Sequence, residues 1–256
     1  MLCDIARFQT ALRVLVRLDE KSSKMSKVEI SYYSDVLCVW AYVAERRLEE
    51  LAKEFGERIA IVPHFCSVFP DAWGKIETSW GSRGSFEGYN RHLREIAERF
   101  PHVVVHEDVW LAARPRTSAS AHMFLKAVAL IEREAQGDGA ELLPYADRLS
   151  AKAAWETRLA FFASAKDISE WTVHREIAER IGIDYGAVED KIRSSEAVAQ
   201  LAADYDLSQK NGVEGSPTFL MNDGRQKLFG NVGYRVLEAN VQELLRRPAA
   251  NEASWC

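Results

Sequence analysis

The chain has 256 residues, 47% of them apolar and 28% charged, which excludes a disordered, collagen-like or heptad-repeat protein. Its 33 lysines and arginines against 38 aspartates and glutamates give a net charge of −5, so nucleic-acid binding is not expected. Cys3, Cys38, Cys66 and Cys256 are too far apart for a secreted disulfide framework or paired zinc-binding motifs. Any sulfur chemistry is therefore expected to use single cysteines.

The N-terminal segment is not expected to be an export signal or a membrane anchor. No apolar run approaches the roughly 20 residues that a membrane helix needs, and charged residues interrupt the start of the chain. We therefore expect a cytoplasmic protein with no membrane partner. The folded domain is expected to begin near Met25, after an extension over residues 1–24 that is either helical or disordered. Cys3 and Cys256 lie in the terminal segments and are expected to have no role.

The first part of the domain predicts a βαβ unit. The β-branched and aromatic run from Val28 to Tyr33 indicates a buried strand. Apolar residues recur at helical spacing over Cys38–Phe55, and Gly56 is suited to end that helix. A second strand is predicted over Arg58–Phe65, parallel to the first. Pro63 lacks an N–H group and predicts that this strand has a free edge.

The next segment is interpreted as a loop followed by a helix. Residues 66–85 are rich in Gly, Ser and Trp, which is typical of a long surface loop. Helical spacing of apolar residues then runs to Phe100, before Pro101. The run of three valines over residues 103–105 has strand character.

A long stretch from about Thr117 to Lys210 predicts a block of helices. Its turn residues indicate breaks at residues 136–139 and 182–185. Asp184 is suited to cap the helix after the second break.

The end of the domain predicts a hairpin and a last helix. Strands are expected over Pro217–Met221 and Gln226–Gly230, and the Asp-Gly pair between them favours a tight hairpin turn. Apolar spacing over Leu237–Leu245 indicates the helix. The element order therefore gives an α/β domain with a helical insertion, and its expected segments are residues 25–110, 111–210 and 211–248, with a tail over 249–256.

Cys38 is placed where a strand has ended and a helix begins. Unpaired backbone N–H groups and the helix dipole favour a thiolate at such a position, so the pKa of Cys38 is predicted to be lowered. A small apolar cysteine packed beneath the helix is the alternative, and position alone does not separate the two.

A second feature is the turn before the third strand. The sequence Gly212-Val213-Glu214-Gly215-Ser216-Pro217-Thr218 places a proline at the head of a strand after two glycines. This arrangement suits a tight turn with a cis Ser216-Pro217 bond.

Together, these features resemble the thioredoxin-like family of DsbA-type oxidoreductases over roughly residues 27–246. The nearest resemblance is to the cytoplasmic branch with FrnE-like proteins, glutathione-using 2-hydroxychromene-2-carboxylate isomerases and kappa-class glutathione transferases. The resemblance implies a thioredoxin-like fold with a helical insertion and makes Cys38 the nucleophile. It makes Pro217 the cis-proline, and it implies that Ser216 offers its backbone to a thiol substrate as an added strand.

The motif departs from the family pattern at one position. The family's dithiol motif is close to Cys-Pro-Trp-Cys, whereas this chain has Cys38-Val39-Trp40-Ala41. A single thiol can form a mixed disulfide but needs an outside thiol, such as glutathione, to release it. We therefore expect a monothiol oxidoreductase with no tightly bound cofactor and with glutathione as co-substrate.

Two alternatives remain open at this stage. One is a glutathione-dependent isomerase or transferase acting on an aromatic small molecule, and the other is a redox-inactive thioredoxin-like binding module. The expected partner is glutathione, a glutathionylated or disulfide-bearing protein, or an aromatic compound, and a homodimer is also left open.

Several other residues are candidates for the site. Cys66 follows the second strand and could supply a second thiol, although a buried spectator is the alternative. Arg114, just before a helix start, could bind a glutathione carboxylate or could be a solvated basic turn. Trp40 could line a substrate cleft or belong to the core, and His122 is expected to be structural. No metal is expected, since His64, Cys66, His102 and His106 match no zinc-binding spacing.

Overall fold

A computed structural model describes residues 27–137 and 139–246. The predictions for residues 1–24, Cys3, Cys256 and the tail lie outside these residues. Within the described residues the domain is α/β, with one four-stranded sheet and ten α-helices. The strands are β1 (Val28–Ser34), β2 (Ile59–Phe65), β3 (Thr218–Met221) and β4 (Gln226–Phe229).

Most of the helices lie between β2 and β3. The helices are α1 (Val39–Phe55), α2 (Ala72–Trp80), α3 (Ser85–Ala97), α4 (Val109–Ala112), α5 (Ala119–Gln136), α6 (Leu149–Arg158), α7 (Trp171–Ile181), α8 (Tyr185–Arg193), α9 (Glu196–Lys210) and α10 (Tyr234–Arg246). Short 3₁₀ turns cover Gly56–Arg58, Gly81–Arg83 and Tyr145–Asp147, and a π-helical turn covers Leu159–Ala163. No helix in the described ranges is long and apolar enough to cross a membrane.

The sheet has the strand order β2-β1-β3-β4. β1 pairs parallel with β2, which confirms the predicted βαβ unit, and β3 runs antiparallel to both β1 and β4. Ile30 lies in register between Ile61 and Met221. β2 is an outer strand of the sheet and has a neighbouring strand on one side only. The free edge predicted from Pro63 is therefore confirmed.

Helix α1 lies on one face of the sheet because its apolar residues form one stripe. Leu48 and Leu51 are fully buried, in the same core cluster as Ile30 of β1. Gly56 ends the helix with a φ of 53°, a conformation that a residue with a Cβ rarely adopts. Helix α10 joins this face through Leu237 and neighbouring apolar residues.

The β3–β4 hairpin follows the prediction from its sequence. Asn222, Asp223 and Gly224 have φ values of 45°, 53° and 89°. These residue types tolerate the left-handed region that a tight hairpin turn needs.

The interpretation of residues 66–85 as a loop is wrong. Helix α2 and the 3₁₀ turn that follows it cover 12 of these 20 residues, and Asp71 caps the helix by accepting a hydrogen bond from the Gly74 N–H at 3.2 Å. Gly74 lies close to this cap, where a Cβ would be only 2.6 Å from the Asp71 Oδ2, and Gly84 has a φ of 95°. The valines at 103–105 also form no strand.

The predicted block of helices is present as α5 to α9, and both predicted breaks are confirmed. Gly137 and Gly182 end helices with φ values of 85° and 78°, and the Asp184 carboxylate caps α8 by accepting from the Gly186 N–H at 3.1 Å. The pattern missed two further breaks, the π-helical turn after α6 and the Ser195 bend with a φ of 68°.

Side chains from this helical block cover the free edge of β2. The Arg148 guanidinium donates to the Ile61 carbonyl at 2.6 Å, and the Phe65 N–H donates to the Asp204 carboxylate at 2.8 Å. An edge strand left open invites pairing with another chain. The helical block therefore packs on the sheet as part of one fold.

Candidate functional site

Cys38 is the N-cap residue of α1, as the strand-then-helix pattern predicts. The N–H groups of Ala41 and Tyr42 both donate to its carbonyl oxygen at 3.1 Å. Its thiol Sγ lies 3.2 Å from the carbonyl oxygen of Ser216 and donates to it. The peptide bond between Ser216 and Pro217 is cis. Two sequence features that are 178 residues apart therefore meet at one place.

The cis-proline loop is held by its own contacts. The Ser216 hydroxyl oxygen accepts from the Asp35 N–H at 2.9 Å, and the Thr218 hydroxyl donates to the Gly215 carbonyl at 2.8 Å. Gly215 packs so closely on Phe229 that a Cβ there would be 3.0 Å from the ring. The loop therefore presents the Ser216 carbonyl from a fixed backbone.

The prediction of a lowered pKa for Cys38 is wrong. Only 7% of Cys38 is exposed, and this burial raises the pKa of its thiol. Hydrogen bonding to Ser216 and the backbone N–H groups of Ala41 and Trp40 pull the pKa down, while the Asp35 carboxylate raises it further. The sequence pattern shows the helix start but not the loss of hydration, which outweighs it here.

Asp35 is the central polar residue of the site, and sequence reasoning did not single it out. It is fully buried. Its Oδ2 accepts from the Val68 and Phe69 N–H groups at 3.0 Å each and from the Ser118 hydroxyl at 2.8 Å. Its Oδ1 accepts from the Leu37 N–H at 2.9 Å. Asp35 thus joins the segment before Cys38 to the segment after β2 and to the start of α5.

The sequence does carry one indication of this role. Aspartate commonly accepts from a backbone N–H two residues ahead, and the position of Asp35 just after a strand suits such a turn. The contacts with residues 68, 69 and 118 depend on the tertiary fold, so the sequence pattern alone could not reveal them.

His122 supports the loop before Cys38. Its Nε2 accepts from the Val36 N–H at 3.2 Å, its Nδ1 lies 3.1 Å from the Tyr205 hydroxyl, and its ring stacks on Phe65. Burial lowers the pKa of His122 to about 4, so the ring is neutral at neutral pH. This agrees with the structural role expected from the sequence.

Cys66 lies close to the end of β1 but in different surroundings from Cys38. Its N–H donates to the Ser34 carbonyl at 3.0 Å, and its side chain packs with Tyr33 and Leu220. Both Cys38 and Cys66 are free, buried thiols, and burial raises the pKa of Cys66 as well. A role as second thiol stays a prediction.

Trp40 and Arg114 both reach the protein surface. Trp40 is half-buried, with its ring edge-on to Phe100 at 6.1 Å. Arg114 is exposed, with its guanidinium 4.5 Å from the centre of the Phe86 ring. Carboxylate binding by Arg114 and substrate contact by Trp40 stay predictions.

The histidines considered for a metal are each engaged elsewhere. His64 pairs with the Asp204 carboxylate at 2.9 Å, His102 contacts the Val43 carbonyl, and the His106 ring accepts from the Asp108 N–H. Across residues 27–137 and 139–246, no three metal-binding side chains come together.

The family model for the DSBA-like thioredoxin domain matches residues 29–242. The chain belongs to this family. The match covers most of the chain, including Cys38 and the cis-proline loop, as the sequence resemblance implies. No curated protein is significantly similar in sequence.

Several solved structures share the fold. Cytosolic disulfide reductase DsbM from Pseudomonas aeruginosa is 21% identical with a TM-score of 0.59, covering 84% of this chain and 98% of its own. A 2-hydroxychromene-2-carboxylate isomerase is 18% identical with a TM-score of 0.58, covering 88% and 100%. A "probable DsbA oxidoreductase" from Streptomyces coelicolor is 15% identical with a TM-score of 0.64, covering 90% and 94%. The family thus spans oxidoreductase and isomerase neighbours, and at these identities the similarity establishes the fold alone.

Proposed function

We propose that this DSBA-like protein is a monothiol thiol-disulfide oxidoreductase in which Cys38 is the nucleophile and glutathione the resolving thiol. The observation that carries the proposal is the contact between the Cys38 thiol and the Ser216 carbonyl beside a cis-proline. An extended substrate could pair with this loop as an added strand, which would bring its sulfur to Cys38. Ala41 stands where a resolving cysteine would lie in the first turn of α1.

The reaction proceeds in two exchanges. The Cys38 thiolate attacks the glutathione sulfur of a glutathionylated substrate, forms a Cys38–glutathione disulfide and releases the substrate thiolate. A glutathione thiolate then attacks the glutathione sulfur of that disulfide, releasing oxidised glutathione and the Cys38 thiolate. One substrate disulfide is reduced, and two glutathione units are joined by a disulfide bond.

Because the pKa of Cys38 is raised, this mechanism first requires that the thiol lose its proton. At neutral pH the thiol is mostly protonated and donates to the Ser216 carbonyl. A substrate strand that pairs with residue 216 would compete for that carbonyl, so binding and loss of the thiol proton are expected to be coupled. Free Cys38 is therefore slow to react, and its reactivity rises with pH.

A glutathione-dependent isomerase or transferase is the second candidate, and the protonated thiol favours it. A buried S–H group can donate to the sulfur of a bound glutathione thiolate and stabilise it, without itself forming a disulfide. In that case Cys38 would orient glutathione for attack on an aromatic substrate.

We place the protein in the cytoplasm, where glutathione keeps thiols reduced. DsbM from Pseudomonas aeruginosa, a cytosolic disulfide reductase by its description, has a structure with glutathione, and this supports glutathione as the co-substrate here.

The test is mass spectrometry of the full chain with oxidised glutathione between pH 7 and 10, with peptide mapping to locate the adduct. We expect one glutathione on Cys38, formed faster as pH rises, released by reduced glutathione and lost in Cys38→Ser. Cys66→Ala is the matched control and should keep the adduct. Absence of a Cys38 adduct at every pH would contradict the proposal.

The same preparation separates the other functions. Glutathione-dependent turnover of a hydroxychromene carboxylate that survives Cys38→Ser would favour the isomerase, because a hydroxyl can also donate to glutathione sulfur. If neither an adduct nor turnover is found, a redox-inactive binding module is the remaining function.

A further inference from the structure

A cavity of about 220 Å³ lies along the free edge of β2, between that strand and the helical block. Pro63 and Val62 of β2 form one wall, and α5 and α6 form the others. We call this space the edge cavity. Neither Cys38 nor the cis-proline loop lines it.

The edge cavity contains two buried donors without a partner. Tyr32 and Arg158 both line it and are each 1% exposed. Within the described residues, neither the Tyr32 hydroxyl nor the Arg158 Nε has a hydrogen-bond partner. A buried donor left unpaired costs about 1–3 kcal/mol, so such atoms are rare unless a ligand or water completes them.

The Arg158 guanidinium is otherwise held in place. One of its terminal nitrogens pairs with the Glu45 carboxylate at 3.4 Å, and another donates to the Ser34 hydroxyl at 3.1 Å. The Tyr145 hydroxyl donates to Glu45 at 2.6 Å, which fixes that carboxylate. The unpartnered Nε is therefore presented by a rigid, pre-positioned side chain.

The charges on the cavity wall are mostly positive. Among the described residues, Lys126, Arg133, Arg148 and Arg158 line it, and Glu132 is the one acidic side chain that does. Glu132 is used locally, because its carboxylate accepts from the Leu149 N–H and the Ser150 hydroxyl at 2.6 Å each.

Only part of this positive charge is balanced. Lys126 pairs with Asp204 at 2.5 Å. Arg158 pairs with Glu45, and the Glu132 carboxylate attracts the Arg148 guanidinium, which also donates to the Leu143 and Ile61 carbonyls at 2.6 Å each. Among the described residues, the four positive side chains that line the cavity thus have three acidic partners, which leaves one net positive charge. The wall therefore favours an anion.

The remaining lining and the volume limit the size of that anion. Leu125 and Ala129 of α5 and Ala154 of α6 give apolar walls. A cavity of 220 Å³ exceeds the roughly 150 Å³ that holds benzene but is below the usual size of drug-like sites. One ring or a short chain with a carboxylate would fit.

We propose that the edge cavity binds a small apolar molecule that carries one carboxylate. The carboxylate accepts from the Arg158 Nε and the Tyr32 hydroxyl, and the apolar part packs between Ala129 and Ala154. This site is separate from the thiol site, so it does not depend on the function proposed for Cys38.

Calorimetric titration of the full chain with benzoate tests the proposal, with benzamide as the neutral analogue of the same shape. We expect saturable benzoate binding and at least tenfold weaker binding of benzamide. Ala129→Trp fills the cavity and should weaken benzoate binding at least tenfold. Ala135→Trp, on the exposed side of the same helix, is the matched control and should bind as the wild type does.

Two further variants keep the test decisive. Ala154→Phe fills the cavity from the opposite wall if Ala129→Trp does not fold by circular dichroism. Cys38→Ala should bind benzoate as the wild type does. Absence of saturable binding, equal affinity for benzamide, unchanged binding in a folded filled variant, or loss in Cys38→Ala would each overturn the proposal.

Discussion

The backbone N–H of Asp35 donates a 2.9 Å hydrogen bond to the Ser216 hydroxyl oxygen. This bond ties the segment before Cys38 to the cis-proline loop, 181 residues away in the chain. Together with the contact from the Cys38 thiol to the Ser216 carbonyl, it means that both groups of Ser216 hold the site together. The position of the Cys38 thiol therefore depends on Ser216, which contributes hydrogen bonds and no reacting group.

Replacing Ser216 with Ala should destabilise the protein without removing the cis-proline loop. The substitution leaves the Asp35 N–H buried and unpaired, which costs about 1–3 kcal/mol of unfolding free energy. Urea unfolding measures the loss. Ser79→Ala, at an exposed position on α2, is the control and should change stability by less than about 0.5 kcal/mol. Equal stability of the two variants would show that the Asp35 bond contributes nothing.

Asp35→Asn should have two effects, one on stability and one on the pKa of Cys38. An amide cannot accept from all the donors around the buried carboxylate, so we expect a loss of about 3 kcal/mol of unfolding free energy. Because the Asp35 charge raises the pKa of Cys38, its removal should lower that pKa. The pH midpoint of Cys38 alkylation, measured by peptide mapping, should therefore move to lower pH.

The control for this substitution is Asp71→Asn. Asp71 is half-exposed and caps α2 away from the thiol, so this variant should leave the alkylation midpoint of Cys38 unchanged. An unchanged or higher midpoint in Asp35→Asn would contradict the electrostatic effect.

These residues also show how far the sequence predicts the site. Cys38 and Pro217 could be paired because their local patterns, a helix start and a glycine-bracketed proline, match one family over most of the chain. The βαβ unit and the hairpin follow from short-range patterns in the same way. Asp35 was missed because three of its four accepted hydrogen bonds come from the segment after β2 and from α5.

Two of the wrong predictions have a common physical cause. The helical pattern of α2 is weak because Gly74 and neighbouring polar residues interrupt it, whereas the Asp71 cap stabilises the start of the helix. The pKa of Cys38 is raised and not lowered because residues distant in sequence bury the thiol and exclude water from it. Local patterns show dipoles and turns, whereas burial depends on the assembled fold.

His122 should make the protein less stable in mildly acidic solution. Its pKa is about 4 in the folded protein and 6.5 without burial, so the unfolded chain binds a proton that the folded protein does not. The stabilisation is complete above pH 6.5 and is lost as pH falls toward 4, by roughly 3 kcal/mol for this residue. Urea unfolding at several pH values measures the slope.

His122→Gln removes the titrating group. Between pH 6 and 4 it should reduce the slope of the unfolding free energy against pH by the contribution of about one proton. His174 has the same lowered pKa of about 4, so His174→Gln should flatten the slope by a similar amount. An unaltered slope in His122→Gln would mean that its ring is protonated in the folded protein.

Ala41→Cys should place a second thiol beside Cys38 that can form a disulfide with it. Ala41 is fully buried in the first turn of α1, and its N–H donates to the Cys38 carbonyl, so the two side chains lie one turn apart. Residues three apart on a helix have Cβ atoms about 5–6 Å from each other, near the range from which a disulfide forms with small adjustment. The oxidised variant should therefore lose the mass of two hydrogens, and it should reduce insulin disulfides with dithiothreitol faster than the wild type.

Ala44→Cys, equally buried on the same helix but six residues from Cys38, is the control and should form no such bond. A reduced Ala41→Cys variant that stays reduced under oxidised glutathione would show that the start of α1 cannot support the dithiol chemistry of the family.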